Sequence, residues 1–217
     1  MLLLFSNIIA KPLNYTFNGT LSDYCDIKSG FAFKSSDWIN DGINVIKIKT
    51  INSANSLNLK EFSYVNKDKL EKASNFIVNA GDIIIAMTGA TLGKFALIPF
   101  MNKKLLVNQR VGKFFFNNIN CEKTAFLYCS LLYQPIINQI INKGQGSAQA
   151  NISASDILST SCFVPNKNNI NKFNEICKPY IIKMTRIQYE NIKLEKLRDS
   201  LLPKLMSGEI DVSNIAI

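Results

Sequence analysis

Between residues 173 and 205 apolar side chains return at alternating steps of four and three, through Phe173, Cys177, Tyr180, Met184, Ile187, Asn191, Leu194, Arg198, Leu201 and Leu205. Asn191 and Arg198 are the polar interruptions of this heptad seam. A stripe with a 3.5-residue period asks for a partner helix, because on a lone helix it stays in water. At ~1.5 Å per residue the helix would run roughly 50 Å, more than a compact domain of this size needs. The pattern therefore predicts a spacer or docking arm as well as a piece of core. Pro179 suits the first turn of a helix, so the continuous arm can begin there, with residues 173–178 as a separate turn.

Upstream the periods are shorter. Residues 21–27 alternate loosely, as a strand or a helix end, and run into a glycine turn at 28–30 and an exposed basic loop. Residues 43–51 (INVIKIKTI) alternate almost without fault, which predicts a strand with one face buried and Asn44, Lys47, Lys49 and Thr50 on the open side. Residues 57–65 are a weaker strand or turn candidate, and 68–74 a short helix. The run IIIAM at 83–87 is β-branched and apolar throughout, as in a strand buried on both faces. Residues 94–100 return as the second arm of its hairpin, and 105–107 and 111–116 predict strands on either side of Asn108, Gln109 and Arg110. Residues 123–142 have helical periodicity, with Pro135 placed to kink or divide them. The stretch 143–153 is small and polar, Ser153 to Asp156 offer cap residues, and 162–164 reads as a last strand.

These elements predict an α+β chain. An apolar lead-in at 1–20 precedes a globular mixed-sheet domain at 21–165, and a long C-terminal helical arm at 166–217 forms a coiled coil. The opening MLLLFSNIIAKP lacks the basic flank, cleavage site and length of a secretory signal or membrane span. It reads as a buried strand, a short helix or the remnant of an upstream element, and no membrane association is expected.

Composition narrows the chemistry. With 217 residues, 47% of them hydrophobic, the chain can support one real core plus an appendage. Its formal charge of +9 suits phosphate backbones or an acidic partner, although an AT-rich genome yields the same Lys-, Asn- and Ile-rich composition. Cys25, Cys121, Cys129, Cys162 and Cys177 are odd in number and set mostly in apolar runs, as expected of buried thiols in a reducing cytoplasm. The chain has no histidine, so Cys/His zinc sites, Ser-His-Asp triads and Cys-His pairs have no residues to build on. Gly89 to Phe95 approaches a phosphate loop, but its spacing is one residue short and Phe95 stands where the magnesium-binding hydroxyl belongs. It is expected to be a hairpin turn.

Taken in order, SDYCDIKSGFAFKSSDW, INVIKIKTI, GDIIIAMTGATLGKFALIP, NQRVGKF, GSAQANIS and the closing KLEKLRDSLLPKLMSGEIDV resemble the specificity subunit of type I restriction-modification systems. The resemblance covers nearly the whole chain from Leu21 onward. In that family two target-recognition domains are separated by two long helices, whose antiparallel coiled coil fixes the distance between two half-sites on DNA. This chain resembles one recognition domain and one helix, and departs from the pattern by lacking the first domain. A natural half-subunit, a truncated product and a piece of a longer chain all remain open. Two copies paired through the seam, or one copy paired with a second recognition half, would restore the two-site arrangement by two-fold symmetry.

The resemblance implies double-stranded DNA as ligand. It also implies a methyltransferase subunit carrying S-adenosylmethionine and a motor-nuclease subunit as partners. The chain itself has no N-P-P-Y-like segment and is expected to hold no cofactor or metal and to catalyse nothing. Residue types that neutralise phosphates or read base edges concentrate in its loops. They are Lys34, Ser35 and Ser36; Lys49, Thr50 and Asn52; Thr88, Thr91 and Lys94; and Gln109 and Arg110 with Gln145, Ser147 and Gln149. Any one of them can equally be a solvated loop side chain. Phe31, Phe33 and Trp38 are expected to pack in the core rather than stack on bases, and residues 114–116 to form a buried strand. Partner contact falls to Tyr180, Met184, Ile187, Asn191, Leu194, Arg198, Leu201 and Leu205. Two other classes stay open, a stand-alone nuclease or methyltransferase and a helical scaffold that does not bind DNA.

Overall fold

The computed structural model describes residues 16–116, 124–145 and 150–210. Expectations about residues 1–15, Cys121, Ser147, Gln149 and residues 211–217 lie outside the described residues.

The run of isoleucines supplies the central strand. In β7 (Ile83–Ala86) every residue is buried, because successive side chains point to opposite faces and both faces are covered. Ile83 and Ile85 join Leu97, Phe114, Phe126, Leu127, Phe173 and Cys177 in the largest core cluster. Ile84 and Ala86 face Ile46, Ile98 and Val107 in a second cluster. The strand belongs to an antiparallel sheet in the order β2 (Asp26–Ser29), β10 (Val111–Phe115), β7, β8 (Phe95–Leu97). A second sheet orders β3 (Trp38–Ile39), β5 (Ser63–Val65), β4 (Ile43–Ile46), β9 (Leu105–Val107) and β6 (Ile77–Val78), with β4 and β9 parallel. The short β1 (Gly19–Thr20) and β11 (Ser161–Cys162) pair separately.

The reading of 43–51 as one half-buried strand needs correction. β4 stops at Ile46, and a 3-10 turn at Ile48–Thr50 follows. The break is local: the Lys47 N–H donates to Thr50 Oγ1 at 3.1 Å, so the backbone curls instead of extending. Both faces of β4 are covered, since Val45 packs with Phe33, Val65 and Leu106 while Ile46 enters the second cluster.

Helices close the other side of the first sheet. After the short α1 (Lys69–Lys72), Pro135 divides the predicted helix into α2 (Thr124–Leu132) and α3 (Gln134–Gly144), sitting in the first turn of α3 where its missing N–H costs nothing. Ser153 caps α4 (Ala154–Leu158) by accepting from the Asp156 N–H at 3.1 Å. The last element, α5, runs unbroken from Lys167 to Met206, forty residues or ~60 Å. The expected break at Pro179 is absent. Pro179 and Glu175 face solvent, so water can reach the carbonyl that loses its N–H partner. Phe173 and Cys177 before the proline and Ile181 after it hold both sides on the same core. Among the described residues no helix is long and apolar enough to cross a membrane.

Candidate nucleic-acid interface and helical arm

Backbone hydrogen bonds gather several of the polar loops along one rim. The Phe31 N–H donates to the Val107 carbonyl at 2.8 Å, and the Gln109 N–H returns to the Phe31 carbonyl at 3.0 Å. The Asn108 N–H donates to the Ile46 carbonyl at 3.0 Å, bringing the Lys47 turn alongside. The Met87 N–H donates to Arg110, and the N–H groups of Ile152 and Gly89 donate to Met87 and Ala150, at 3.0, 2.9 and 2.8 Å. Gly30 makes the first crossing possible, because a Cβ there would stand 2.3 Å from the Val107 carbonyl oxygen. On this frame Gln109, Arg110 and Gln145 project into solvent. Thr88 and Thr91 are half-buried, and their hydroxyl oxygens are covered with no hydrogen-bond partner among the described residues. Lys94 is also half-buried.

Three expected contacts have other tasks. The Thr50 hydroxyl is buried and donates to the Glu61 carbonyl at 3.2 Å. Asn52 folds its own loop, accepting from the Ala54 and Ser56 N–H groups at 2.9 and 3.1 Å. It lies away from the rim, in a cleft of about 350 Å³ against α5. Lys49 is exposed but paired with Glu61 at 2.8 Å. Lys34, Ser35 and Ser36 are exposed on a turn held by Asp37, which accepts from the Lys34 N–H at 2.8 Å and from Lys69 Nζ at 3.0 Å.

The Lys69 ammonium, with the Lys34 N–H second, holds the Asp37 carboxyl below the ordinary carboxylate range. A lowered folded pKa means that the contribution is full above the unfolded value, ~3.9, and is lost as pH falls through the folded one. The urea midpoint is therefore expected to drop below about pH 4, and Asp37→Asn to flatten that drop. Equal acid sensitivity in both proteins would refute the assignment.

Lys47 is a cation beside this rim that residue types alone did not select. Its Nζ sits 3.4 Å from the centroid of the Trp38 ring, and burial, with Lys49 nearby, pulls its pKa down. Trp38 also meets Phe33 at 5.3 Å, and Phe33 meets Phe31 at 4.9 Å, both with tilted rings, so these aromatic rings pack against the domain and support the cation.

The seam on α5 divides between two faces. Phe173 and Cys177 are fully buried, and Met184 is half-buried against the same core. Tyr180, Ile187, Leu194, Leu201 and Leu205 stand 37–55% exposed on the outer side. A strict heptad drifts ~20° per repeat around a straight α-helix. The drift is not the main cause here: the buried row continues from Cys177 through Ile181 and Thr185 in steps of four, so the heptad positions after Cys177 fall beside it. Asn191 lines the same cleft as Asn52 and Gln188. Arg198 binds the Asp199 carboxylate at 2.6 Å, and Asp199 in turn takes Lys60 Nζ at 2.9 Å, latching the helix to the 52–60 loop. Nothing in the sequence marks that pair, whose members lie 139 positions apart.

A family model described as "Type I restriction modification DNA specificity domain" matches residues 15–196, most of the chain. The chain belongs to that family. Curated relatives include two specificity subunits of Methanocaldococcus jannaschii type I restriction enzymes. The MjaVIII subunit is 24% identical over 200 residues and the MjaIX subunit 22% over 197. Each match covers 90% of this chain but only 46% and 44% of the relatives, so the chain spans about half the length of these family members. The family fold is seen again in a crystal structure of the type I S subunit from M. genitalium. That structure matches with a TM-score of 0.54 at 19% identity, over 90% of this chain and 48% of that one.

Proposed function

We propose that this chain is a non-catalytic DNA specificity subunit that reads one half of a bipartite target and docks methyltransferase subunits. The supporting observation is the rim, where Phe31, the Asn108 to Arg110 turn, the Met87 to Thr91 loop and Ala150 are tied together by backbone bonds. A rigid backbone frame with projecting Arg and Gln side chains is what base-edge reading requires, because bidentate hydrogen bonds tolerate little displacement. In this reading Gln109 and Arg110 lead, Lys47 and Lys34 supply positive charge, and Thr88, Thr91, Lys94, Gln145, Ser147 and Gln149 line the approach. Ser35, Ser36 and Lys49 flank it, while Thr50 and Asn52 shape the loops that carry these contacts. Residues 21–165 form the recognition part and 166–217 the arm.

The outer face of α5 pairs with a second copy, or with a separate recognition half, as a coiled coil through Tyr180, Ile187, Leu194, Leu201 and Leu205. Met184, Asn191 and Arg198 border that contact. The methyltransferase and motor-nuclease subunits supply all catalysis, in the cytoplasm, and this chain needs no cofactor.

Selection from random bipartite duplexes, repeated across salt concentrations, tests this directly. A specific half-site is expected to be enriched, with affinity falling as salt rises. Arg110→Ala is expected to lose about 1–3 kcal/mol and relax specificity at one position if it reads a base, or to lower the salt slope by about one if it meets a phosphate. A flat salt response without enrichment would rule out DNA reading.

A further inference from the structure

Nearer the start of α5 than the cleft of the 52–60 loop, the helix carries a groove that neither the rim nor the outer stripe uses. α5 meets the turn at Ala80 and Gly81 around a hollow of about 430 Å³ bounded by Phe100, Ile182 and Arg186. Phe100 is 47% exposed and Ile182 41%, although both sit beside the core residue Ile181. The hollow is built rather than accidental. The Phe100 N–H donates to the Thr185 carbonyl at 3.1 Å, and the Phe100 ring meets Tyr189 edge-on at 5.5 Å. A second hollow of about 320 Å³ shares Ala80 and Phe100 and is bounded by Lys103 and Lys104. None of Arg186, Lys103 and Lys104 has an ionic partner among the described residues.

An apolar floor between unneutralised cations has a definite complement. A phosphate backbone would satisfy the cations but leave Phe100 and Ile182 in water, since it offers no apolar side chains to cover them. A peptide segment with acidic residues among apolar ones satisfies both. The chain's own lead-in, MLLLFSNIIAKP, is apolar but carries Lys11 and no acid, so it does not match the charge.

We infer that this groove docks an acidic, apolar-studded segment of the methyltransferase subunit. The inference rests on the reading that the chain assembles with such a subunit. Phe100 and Ile182 seat the apolar side chains, while Arg186, Lys103 and Lys104 take the carboxylates. The surface lies on the α5 side of the domain and is separate from Gln109 and Arg110, so DNA contact and subunit contact do not compete for residues.

The test titrates the methyltransferase subunit of the same restriction-modification system into the full-length wild type, Ile182→Glu, and the double variant Arg186→Glu with Lys104→Glu. All three positions are exposed, and circular dichroism together with half-site DNA binding checks that each variant is folded. Both variants are expected to weaken the complex about tenfold or more while DNA affinity stays within about twofold, and the wild-type complex is expected to weaken with salt. Variants that bind the methyltransferase like the wild type would overturn the groove alone. Variants that lose DNA affinity instead would make it a nucleic-acid surface and overturn the inference. A wild-type chain that binds no methyltransferase would remove both the groove and the assembly reading.

Discussion

Replacing Ile187 and Leu194 together by glutamate is expected to leave a folded chain that no longer pairs and no longer holds a bipartite duplex. Both side chains are exposed on the outer face of α5, at 44% and 55%, and neither belongs to the core clusters. Surface substitutions of this kind change stability by only about 0.5 kcal/mol either way. The effect on pairing is far larger. Each apolar side chain removed from a helix interface forfeits about 1.5–3 kcal/mol, and each is lost twice in a two-fold dimer. Carboxylates facing each other across the interface add repulsion.

DNA binding follows from the pairing. Two linked half-site readers bind the second site at a high effective concentration, and separating them forfeits about 10²- to 10⁴-fold in affinity for the two-site duplex. Affinity for a single half-site should stay near the wild-type value. Sedimentation equilibrium and binding to one-site and two-site duplexes measure the outcome. An unchanged oligomeric state, or equal losses on both duplexes, would show that the outer stripe is not the pairing surface.

Phe173→Ala is expected to destabilise the whole domain by about 3–5 kcal/mol, out of a total of the order of 5–15 kcal/mol. Phe173 is 0% exposed and belongs to the cluster that holds Ile83, Phe126 and Cys177. Beside it Asn174 accepts from the Phe126 N–H at 2.9 Å and reaches the Tyr24 hydroxyl at 3.2 Å, so the helix start is tied to α2 and to the chain ahead of β2. Truncating the ring removes its transfer free energy and leaves a cavity that these fixed neighbours cannot fill. For a chain of this size the melting temperature should fall by roughly 6–20 °C. Tyr180→Ala, two turns further on and 52% exposed, should change it little. Equal melts for the two variants would mean that α5 is an appended arm from its first turn and not part of the core.

The two substitutions show where sequence patterning succeeds and where it stops. The run at 83–87 announced a strand covered on both faces, because only double burial makes an uninterrupted β-branched run favourable. Pro135 and Ser153 announced a helix division and a helix start, because their constraints act within one turn of the chain. The alternation at 43–51 misled, since Thr50 curls the backbone through a bond that periodicity does not register. Among the candidate contacts, Gln109 and Arg110 were recognisable as polar residues between two strands. Lys47 escaped because its significance depends on the Trp38 ring, which is brought over it by the pairing of β3 and β4 on either side of β5 in the second sheet, a placement that residue spacing does not register.

The heptad seam carries the same division. By itself the sequence determined that a long helix closes the chain, that it has an apolar stripe, and that the stripe exceeds what one small core can cover. Those properties are local, set by the spacing of side chains along one helix. Only the tertiary structure decided which residues of the stripe are core and which are free. That division depends on how α5 packs against α2 and the core, whose buried row runs on through Ile181 and Thr185 rather than along the heptad positions. The 52–60 loop also meets α5 through Lys60 and Asp199, 139 positions apart in sequence. Phe173 and Cys177 consequently belong to this domain, whereas Tyr180, Ile187, Leu194, Leu201 and Leu205 stand exposed on α5.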